Sequence, residues 1–237
     1  MMQQQSALVL HVRPYRESSA IVQFMTKEQG RIAGVVRGFR GTSKRGNTVQ
    51  PFSLGTLRYF GRSNLINVSS FECAHFFSLR GDVLFAGLYL LELLTRLVAE
   101  RQREPAVFAD AVSTLTSMEA GHDLQTCLRN FELDLLAQLG YEIVFDRDAQ
   151  TGQAIDQRSY YVYRPQQGFV AVSDDERLNQ VGDALRGDWL LKVHARDFTN
   201  PQARRLAKHI VRQALEPLLG DKPLVSRKMV APRSDGI

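Results

Sequence analysis

The first 80 residues alternate between short apolar runs and turn residues. Apolar runs occupy 7–12, 20–25 and 31–36, and two loosely alternating runs follow at 52–60 and 65–71. Five short segments with glycine-rich turns between them predict a small β-barrel rather than a sandwich.

From residue 82 the apolar period becomes that of a helix. Apolar residues recur every three or four positions over 82–98 and 124–139, and each stretch predicts an amphipathic helix. Pro105 suits the first turn of another helix, where its missing N–H does no harm. A last helix is expected over 200–219, with Gly220 after it.

Residues 141–172 break this helical pattern. Two runs rich in aromatic and β-branched residues, 160–163 and 169–172, are joined by the turn sequence Pro165-Gln-Gln-Gly168. The pattern predicts a β-hairpin insertion. We therefore expect an α+β protein with two domains: a barrel over 1–80, and over 81–237 a mainly α-helical domain that contains the insertion.

The composition is that of a globular protein of one or two domains. Of the 237 residues, 44% are hydrophobic and 23% are charged, which excludes a disordered tail or a collagen-like fibre. No apolar stretch reaches the length of a membrane span, and the chain starts without a signal-peptide pattern. Only two cysteines occur. We expect a cytoplasmic protein with reduced thiols that makes no membrane contact.

The charges are distributed unevenly along the chain. Residues 1–80 carry 11 Lys and Arg against 3 Asp and Glu, a net charge of +8. Residues 81–150 carry 5 against 12, a net charge of −7. A basic unit followed by an acidic one indicates a module that binds a polyanion, with nucleic acid as the leading candidate.

The motifs of common enzyme classes are missing. The chain has no Gly-Lys dipeptide, hence no phosphate-binding loop, and it has neither a G-x-S-x-G nor an H-E-x-x-H motif. Cys73 and His75 could ligate a metal, but a structural zinc site needs four ligands. We expect no catalytic residue, no metal and no cofactor, and hence a binding protein rather than an enzyme.

Binding chemistry is concentrated in the barrel. Arginine dominates its basic residues, and its planar guanidinium suits phosphate and stacks on bases. Sites that bind single strands combine such cations with aromatic side chains on which bases stack. Phe39 is a candidate for this stacking because it lies in a polar loop, whereas Phe60 could equally belong to the core. The predicted nucleic-acid-binding residues, which the family resemblance below assigns to DNA, are Arg13, Arg31, Arg37, Phe39, Arg40, Lys44, Arg45, Arg58 and Arg62.

The last predicted helix carries a second basic cluster. Arg204, Arg205, Lys208 and Arg212 fall on one side of it. This side could extend the nucleic-acid path, dock an acidic partner peptide, or simply be a solvated helix face.

Several segments, taken together, resemble the bacterial RecO family of recombination mediator proteins. They span nearly the whole chain in family order, and their combination is specific although no single one is diagnostic. The segments are Ala7–Tyr15 with Glu17 and Ser19, Phe24 and Thr26, Gly30-Arg31, Arg37–Arg40, Gln50–Phe52, Tyr89–Leu94, Leu128–Leu133, Leu139–Tyr141, Leu219–Leu224 and Ser226-Arg227.

The resemblance implies an N-terminal OB-fold and a mediator of DNA repair and recombination in the RecF pathway. It implies that the protein binds single- and double-stranded DNA, anneals complementary strands and, with RecR, loads RecA, while RecF and RecA are indirect partners. Such a protein associates with the nucleoid when bound to DNA.

A further implied partner is the acidic C-terminal tail of single-stranded-DNA-binding protein. Its receptor should pair basic side chains with an apolar pocket. The candidate tail-binding residues are Arg129, Arg204, Arg205 and Lys208.

The chain departs from the family in one respect. Many members carry four cysteines as a zinc module after the Leu-Gly-Tyr segment, whereas here residues 145–156 contain none. We expect no zinc, and an insertion held together by its own hairpin and packing.

Two other functional classes stay open. The chain could be a generic single-strand-binding module that acts on RNA, since small barrels also bind RNA. It could also be a nuclease or phosphotransferase whose site has no recognised motif.

Overall fold

The N-terminal part of the chain is a closed five-stranded barrel in the computed structural model, which describes residues 2–39, 49–61, 64–173 and 184–226. The apolar alternation seen in the sequence produces strands because every second side chain enters one interior. The strands are β1 (Gln3–Tyr15), β2 (Ser19–Thr26), β3 (Gly30–Arg37), β4 (Ser53–Phe60) and β5 (Leu65–Phe76).

The strand order is β1-β2-β3-β5-β4, and it confirms the predicted OB-fold barrel. Strands β1, β2 and β3 pair antiparallel in succession, β3 pairs parallel with β5, and β4 returns antiparallel to both β5 and β1. The long strand β1 closes the barrel, because its first half pairs with β4 and its second half with β2. An irregularity between Val9 and His11 lets it bend between the two partners.

The barrel interior is filled by large apolar side chains. Phe24, Ile32, Leu57, Tyr59 and Ile66 are all almost completely buried in one cluster. The outward-facing Ile21 and Met25 of strand β2 are buried as well. Strand β2 is therefore covered on both of its faces.

Two helices supply that cover. Helix α1 (Gly81–Leu97) packs on β1, and helix α2 (Pro105–Glu119) packs on β2. Between them, the amide of Arg101 donates a hydrogen bond to the carbonyl of Arg31 on β3 at 2.9 Å. Pro105 begins α2 as predicted.

Gly30 shows how tightly the connection between α1 and α2 lies against the barrel. Its φ is +62°, and a Cβ atom there would lie 1.7 Å from the carbonyl oxygen of Gln102. Only glycine satisfies both the left-handed backbone and this close approach.

The rest of the chain is mainly helical, as predicted. Helix α3 ends before Gly140, whose φ is +84°, and the amides of Gln202 and Ala203 donate to the Asn200 side chain at the start of α5. The predicted hairpin is confirmed, and a short third strand extends it into a sheet of order β7-β6-β8. Helix α4 was not predicted. The elements are α3 (Leu124–Gln138), β6 (Tyr160–Arg164), β7 (Gly168–Val172), β8 (Leu185–Arg186), α4 (Gly187–His194) and α5 (Pro201–Leu219).

Backbone contacts divide the chain into two compact units. One unit comprises residues 1–124 and 222–237, and the other comprises residues 125–221. The first unit thus groups α1 and α2 with the barrel, and a functional division between residues 80 and 81 stays a prediction. Over the described residues, no helix has the length and apolar character needed to cross a membrane.

Candidate nucleic-acid interface

Three arginines and a tyrosine lie together at one end of the barrel, which we call the rim: Arg13, Tyr15, Arg16 and Arg37. The strand register places Tyr15 of β1, Ser19 of β2 and Arg37 of β3 side by side in one row. Arg13 lies two residues before Tyr15, on the same outward face of β1. Arg16 occupies the β1–β2 turn with a φ of +55°. Neighbouring strand ends therefore bring distant positive charges together.

The rim arginines are available to a ligand. Arg13, Arg16 and Arg37 are exposed, and in the described part of the chain none of them forms an ion pair. The guanidinium of Arg16 lies 5.1 Å from the centre of the Tyr15 ring, a cation–π distance. Exposed guanidinium groups beside a half-buried aromatic ring are the combination that phosphates and bases require.

Arg31, another predicted DNA-binding residue, is occupied within the protein. Its Nε donates to the carbonyl of Val98 at 2.9 Å, and its Nη1 donates to Gln23 at 3.1 Å and to Glu100 at 3.0 Å. Its side chain is only 15% exposed. The guanidinium holds the end of α1 against β2 and β3, so we leave Arg31 outside the proposed DNA surface.

Arg58 is also engaged. Its guanidinium pairs with Glu72 across β4 and β5, and its Nε donates to the Gln4 side chain at 2.8 Å. The positive charge of Arg58 is therefore already balanced by the carboxylate of Glu72 within the protein. A role for Arg58 in DNA binding stays a prediction, and the rim makes the stronger case.

The two candidate aromatic platforms lie in different surroundings. Phe39 is half-buried, packs against the barrel core cluster, and its amide donates to the Ser18 carbonyl at 2.8 Å. Phe60, at the end of β4, is 49% exposed. Its neighbour Tyr59 points inward, where burial raises the pKa of its hydroxyl. Strand alternation therefore favours Phe60 over Phe39 as a stacking surface.

Four of the predicted DNA contacts fall in segments that the structure does not describe. Arg40, Lys44, Arg45 and Arg62 lie outside the residues that the structure describes. Arg40 directly follows Phe39 in the sequence, and Lys44 and Arg45 follow within six residues of it.

The candidate tail-binding residues belong to the second unit and differ in accessibility. Arg129 on α3 is buried, with a side chain 6% exposed, and it pairs with Glu132 at 2.8 Å. Its Nε–H is buried and has no acceptor among the described residues. Arg204 on α5 donates from Nε and Nη2 to the carbonyl of Phe198 at 3.0 and 2.8 Å. Arg205 and Lys208 are exposed on the same helix.

An open groove of about 510 Å³ is also found in the second unit. Tyr141 and Val144, two of the exposed large hydrophobic side chains, lie on its lining, and Pro217 and Leu218 of α5 complete an apolar wall. Burial raises the pKa of Tyr163, which also lines it. The sequence pattern does not indicate this groove, because its walls come from three separate segments.

The site offers no assembled metal centre. Across residues 2–39, 49–61, 64–173 and 184–226, no three or more His, Cys, Asp or Glu side chains gather into a group that could hold a metal ion. The geometry of the rim supports binding of an anionic polymer through exposed guanidinium groups.

Comparison with known proteins matches both parts of the chain to one family. Family models described as "Recombination protein O N terminal" and "Recombination protein O C terminal" match residues 1–77 and 79–228. A protein from Pseudomonas paraeruginosa named DNA repair protein RecO is 40% identical over 233 residues, covering 98% of this chain and 96% of that protein. A protein of the same name from Psychromonas ingrahamii is 37% identical, over 94% of this chain and 96% of that protein. Another from Haemophilus influenzae is also 37% identical, over 95% of this chain and 94% of that protein.

Proposed function

This chain belongs to the RecO family of DNA repair proteins, and we propose that it acts in the cell as a recombination mediator. It binds single- and double-stranded DNA, anneals complementary strands and, with RecR, helps to load RecA onto DNA coated with single-stranded-DNA-binding protein. The observation that carries the DNA-binding part is the rim, where Arg13, Arg16 and Arg37 are exposed beside Tyr15 and have no ion-pair partner among the described residues.

The rim is favoured over the outer face of β2 and β3, on which OB-folds commonly bind oligonucleotides. Here the outward-facing Ile21 and Met25 of β2 are buried, and Arg31 of β3 is bonded to the end of α1. We therefore place the DNA contacts where β1 and β3 end, at the exposed Arg13, Arg16 and Arg37.

Annealing follows from charge neutralisation and needs no bond chemistry. Two DNA strands repel each other through their phosphates, and bound guanidinium groups lower this repulsion and release counterions. A shallow rim contacts phosphates and leaves the base edges free, so that two strands can test their pairing. We therefore propose a binding protein that is not an enzyme and that works in the cytoplasm, at the nucleoid when bound to DNA.

The acidic tail of single-stranded-DNA-binding protein would dock on the second unit. Arg129 supports this, because its buried Nε–H lacks an acceptor in the described structure, and an unpaired buried donor costs about 1–3 kcal/mol that a carboxylate would relieve. Arg205 and Lys208 offer exposed charge that would attract the tail. Arg204 contributes less, since its guanidinium is already bonded to Phe198.

The central experiment measures annealing of complementary DNA strands that are coated with single-stranded-DNA-binding protein. We expect ATP-independent annealing with the intact coating protein and its loss when the acidic tail is removed. The Arg129→Gln variant should reproduce that loss while its binding to bare DNA stays normal. Absence of annealing in both arms would contradict the mediator function.

The location of the DNA site is tested by the triple variant Arg13→Gln, Arg16→Gln, Arg37→Gln. We expect weaker binding of single-stranded DNA and a salt dependence whose log–log slope is smaller by about 2, because three phosphate contacts are lost. Arg103→Gln is the matched control, since Arg103 is an exposed arginine of the same unit already paired with Glu28. If only net charge mattered, Arg103→Gln would lose about one third of the affinity change and slope change seen in the triple variant, whereas we expect it to lose almost none.

The alternative of a generic RNA-binding module predicts a different outcome. Such a protein would bind RNA of matched sequence more tightly than DNA, and it would anneal DNA strands independently of the acidic tail. A direct competition between the two nucleic acids distinguishes the two functions.

A further inference from the structure

The insertion contains a tight loop closed onto the hairpin. Residues 146–155 fold back on themselves, since the amide of Asp148 donates to the carbonyl of Gln153 at 2.8 Å and the amide of Ile155 donates to that of Asp146 at 2.9 Å. The amide of Ala149 then donates to the carbonyl of Phe169 on β7 at 2.7 Å. We call these residues, 146–155, the knuckle.

The side chain of Asp148 lies at the centre of the knuckle. The residue is 4% exposed, and its Oδ1 accepts hydrogen bonds from the amides of Gln150 and Thr151 at 2.8 and 2.7 Å and from the Thr151 hydroxyl at 3.1 Å. Its Oδ2 accepts from the amide of Ala171 on β7 at 2.7 Å. One carboxylate thereby joins the turn at Gln150 and Thr151 to strand β7 of the hairpin.

Buried apolar residues flank the knuckle and lie on the strand to which it is joined. Phe145, Ile155 and Phe169 are buried, and the ring of Phe169 lies 5.1 Å from that of Phe145 and 5.2 Å from that of Tyr163. Burial alone would disfavour the charged carboxylate, but the hydrogen bonds from Thr151, Ala171 and Gln150 outweigh it and lower the pKa of Asp148. The group is therefore ionised at neutral pH.

A zinc ion, which the family resemblance places in this insertion, does not fit these residues. The chain has two cysteines, Cys73 and Cys127, and neither lies in the insertion. A structural zinc site needs four ligands, and Asp148 is the buried carboxylate here. Both of its oxygens already accept hydrogen bonds from N–H and O–H donors, which would have to be displaced before a metal could bind.

We propose that in this chain the Asp148 carboxylate takes over the structural role that zinc has in related proteins: it joins the knuckle to the β6–β7 hairpin through hydrogen bonds, so that the insertion folds without metal. A metal-bound knuckle cross-links through thiolates, whereas this one cross-links through four donors that converge on one anion. The insertion should then be insensitive to zinc chelators.

The test follows amide hydrogen exchange in the full chain. Asp148→Asn keeps the size of the side chain but removes the charge and replaces an acceptor oxygen by an NH₂ donor. We expect the amides of Gln150, Thr151 and Ala171 to exchange faster by about ten-fold or more, because they lose an ionised acceptor. The matched control is Asp146→Asn, two residues away on the same loop, which should leave the three amides unchanged.

The metal question is settled on the same protein. The chain is incubated with excess zinc, desalted and analysed for bound metal, and its exchange is compared with and without a zinc chelator. We expect less than stoichiometric zinc and identical exchange. One zinc retained per chain, or faster exchange with the chelator, would overturn the proposal, as would Asp148→Asn behaving like Asp146→Asn.

A milder variant covers the case in which Asp148→Asn does not fold. Thr151→Val removes one of the four donors and leaves the three backbone donors in place. We expect it to fold and to raise exchange at the amides of Gln150 and Ala171 by a smaller factor. Unchanged exchange in Thr151→Val would then count against Asp148 as the centre. None of these measurements involves DNA, so they are independent of the proposed mediator function.

Discussion

Arginines of the same barrel have different roles, and the residues around each arginine determine its role. Arg37 ends a strand and has no ion-pair partner among the described residues, whereas Arg31, six residues earlier on the same strand, is bonded to Val98 and Glu100. The sequence shows both as basic residues in a basic segment. The partners of Arg31 lie 67 and 69 positions away, so local pattern could not distinguish the two.

Arg31 should therefore matter for stability more than for DNA binding. The variant Arg31→Met preserves the aliphatic stem but leaves the Val98 carbonyl and Glu100 without their donor. We expect a loss of about 2 kcal/mol in the free energy of unfolding, measured by urea denaturation, with an unchanged salt slope of DNA binding. A reduced salt slope at normal stability would instead place Arg31 in the DNA site.

The two phenylalanines lead to opposite expectations. Phe60→Ala should leave the unfolding temperature unchanged and weaken binding of single-stranded DNA roughly five-fold, because an exposed stacking surface is lost. Phe39→Ala should cost about 2 kcal/mol of stability, because its ring packs against the barrel core. Fluorescence-monitored DNA titrations and thermal unfolding of both variants check this, and the reverse pattern would restore Phe39 as the stacking residue.

At the scale of elements, the predicted strands and helices are present, but their faces are set by tertiary contacts. The sequence places Leu84, Leu88, Leu91 and Thr95 on one apolar face of α1, which Leu94, Leu97 and Val98 widen. In the structure Leu90, Leu91 and Leu94 are buried, while Leu84 and Leu88 are only half-buried. With leucines around much of the helix, periodicity identifies the helix but not its rotation about the axis.

Two distant segments that carried the family resemblance meet in the structure. Glu92 of α1 accepts hydrogen bonds from the amides of Val225 and Ser226 at 2.8 and 2.9 Å and from the Ser226 hydroxyl at 2.6 Å. One carboxylate thus anchors the chain after α5 to the unit that contains the barrel.

This anchor can be tested by combining Glu92→Gln with Ser226→Ala. Each single variant should lower stability by about 1 kcal/mol, since a hydrogen bond to a charged acceptor is weakened or lost. The double variant should lose less than the sum of the two, because both changes remove the same interaction. Chemical denaturation measures the cycle, and strictly additive losses would mean that the contact contributes little in solution.

At the scale of the whole molecule, several carboxylates make the stability of the folded protein depend on pH. Burial opposes the charge of Glu92, but the hydrogen bonds from Ser226 and Val225 outweigh this effect and lower the pKa of Glu92. A hydrogen bond from the amide of Ser78 lowers the pKa of Glu119. Burial likewise opposes the charge of Asp148, but its four donors lower that pKa, and the Thr199 hydroxyl lowers that of Asp197. Each group therefore binds its proton less readily in the folded protein than in the unfolded chain.

The lowered pKa values of these carboxylates fix how stability changes with pH. The stabilisation that these carboxylates provide is complete above their ordinary pKa values, 4.5 for Glu and 3.8 for Asp, and is lost as the pH falls through their lower pKa values in the folded protein. We expect the unfolding temperature to decrease between about pH 5 and pH 3, and to decrease less in Glu92→Gln. A constant or rising temperature over that range would contradict the assignment.

Local information in the chain was enough for the fold class, the hairpin and the ends of the last helix. These features depend on strand alternation, on the helical period, and on the capping of α5 by Asn200 and Gly220, all of which involve residues close together in sequence. The excess of positive charge in the first 80 residues likewise indicates a polyanionic partner without reference to any tertiary contact.

The availability of individual charges, in contrast, depends on tertiary contacts. Closure of the barrel joins Arg13, Arg16 and Arg37 into a rim, and packing of α1 pairs Arg31 with Val98 and Glu100. Folding of the insertion likewise makes the carboxylate of Asp148 the centre of the knuckle. The physical reason is the same in each case: a charged side chain acquires its role from partners brought close by strand closure and helix packing, and sequence separation does not record those distances.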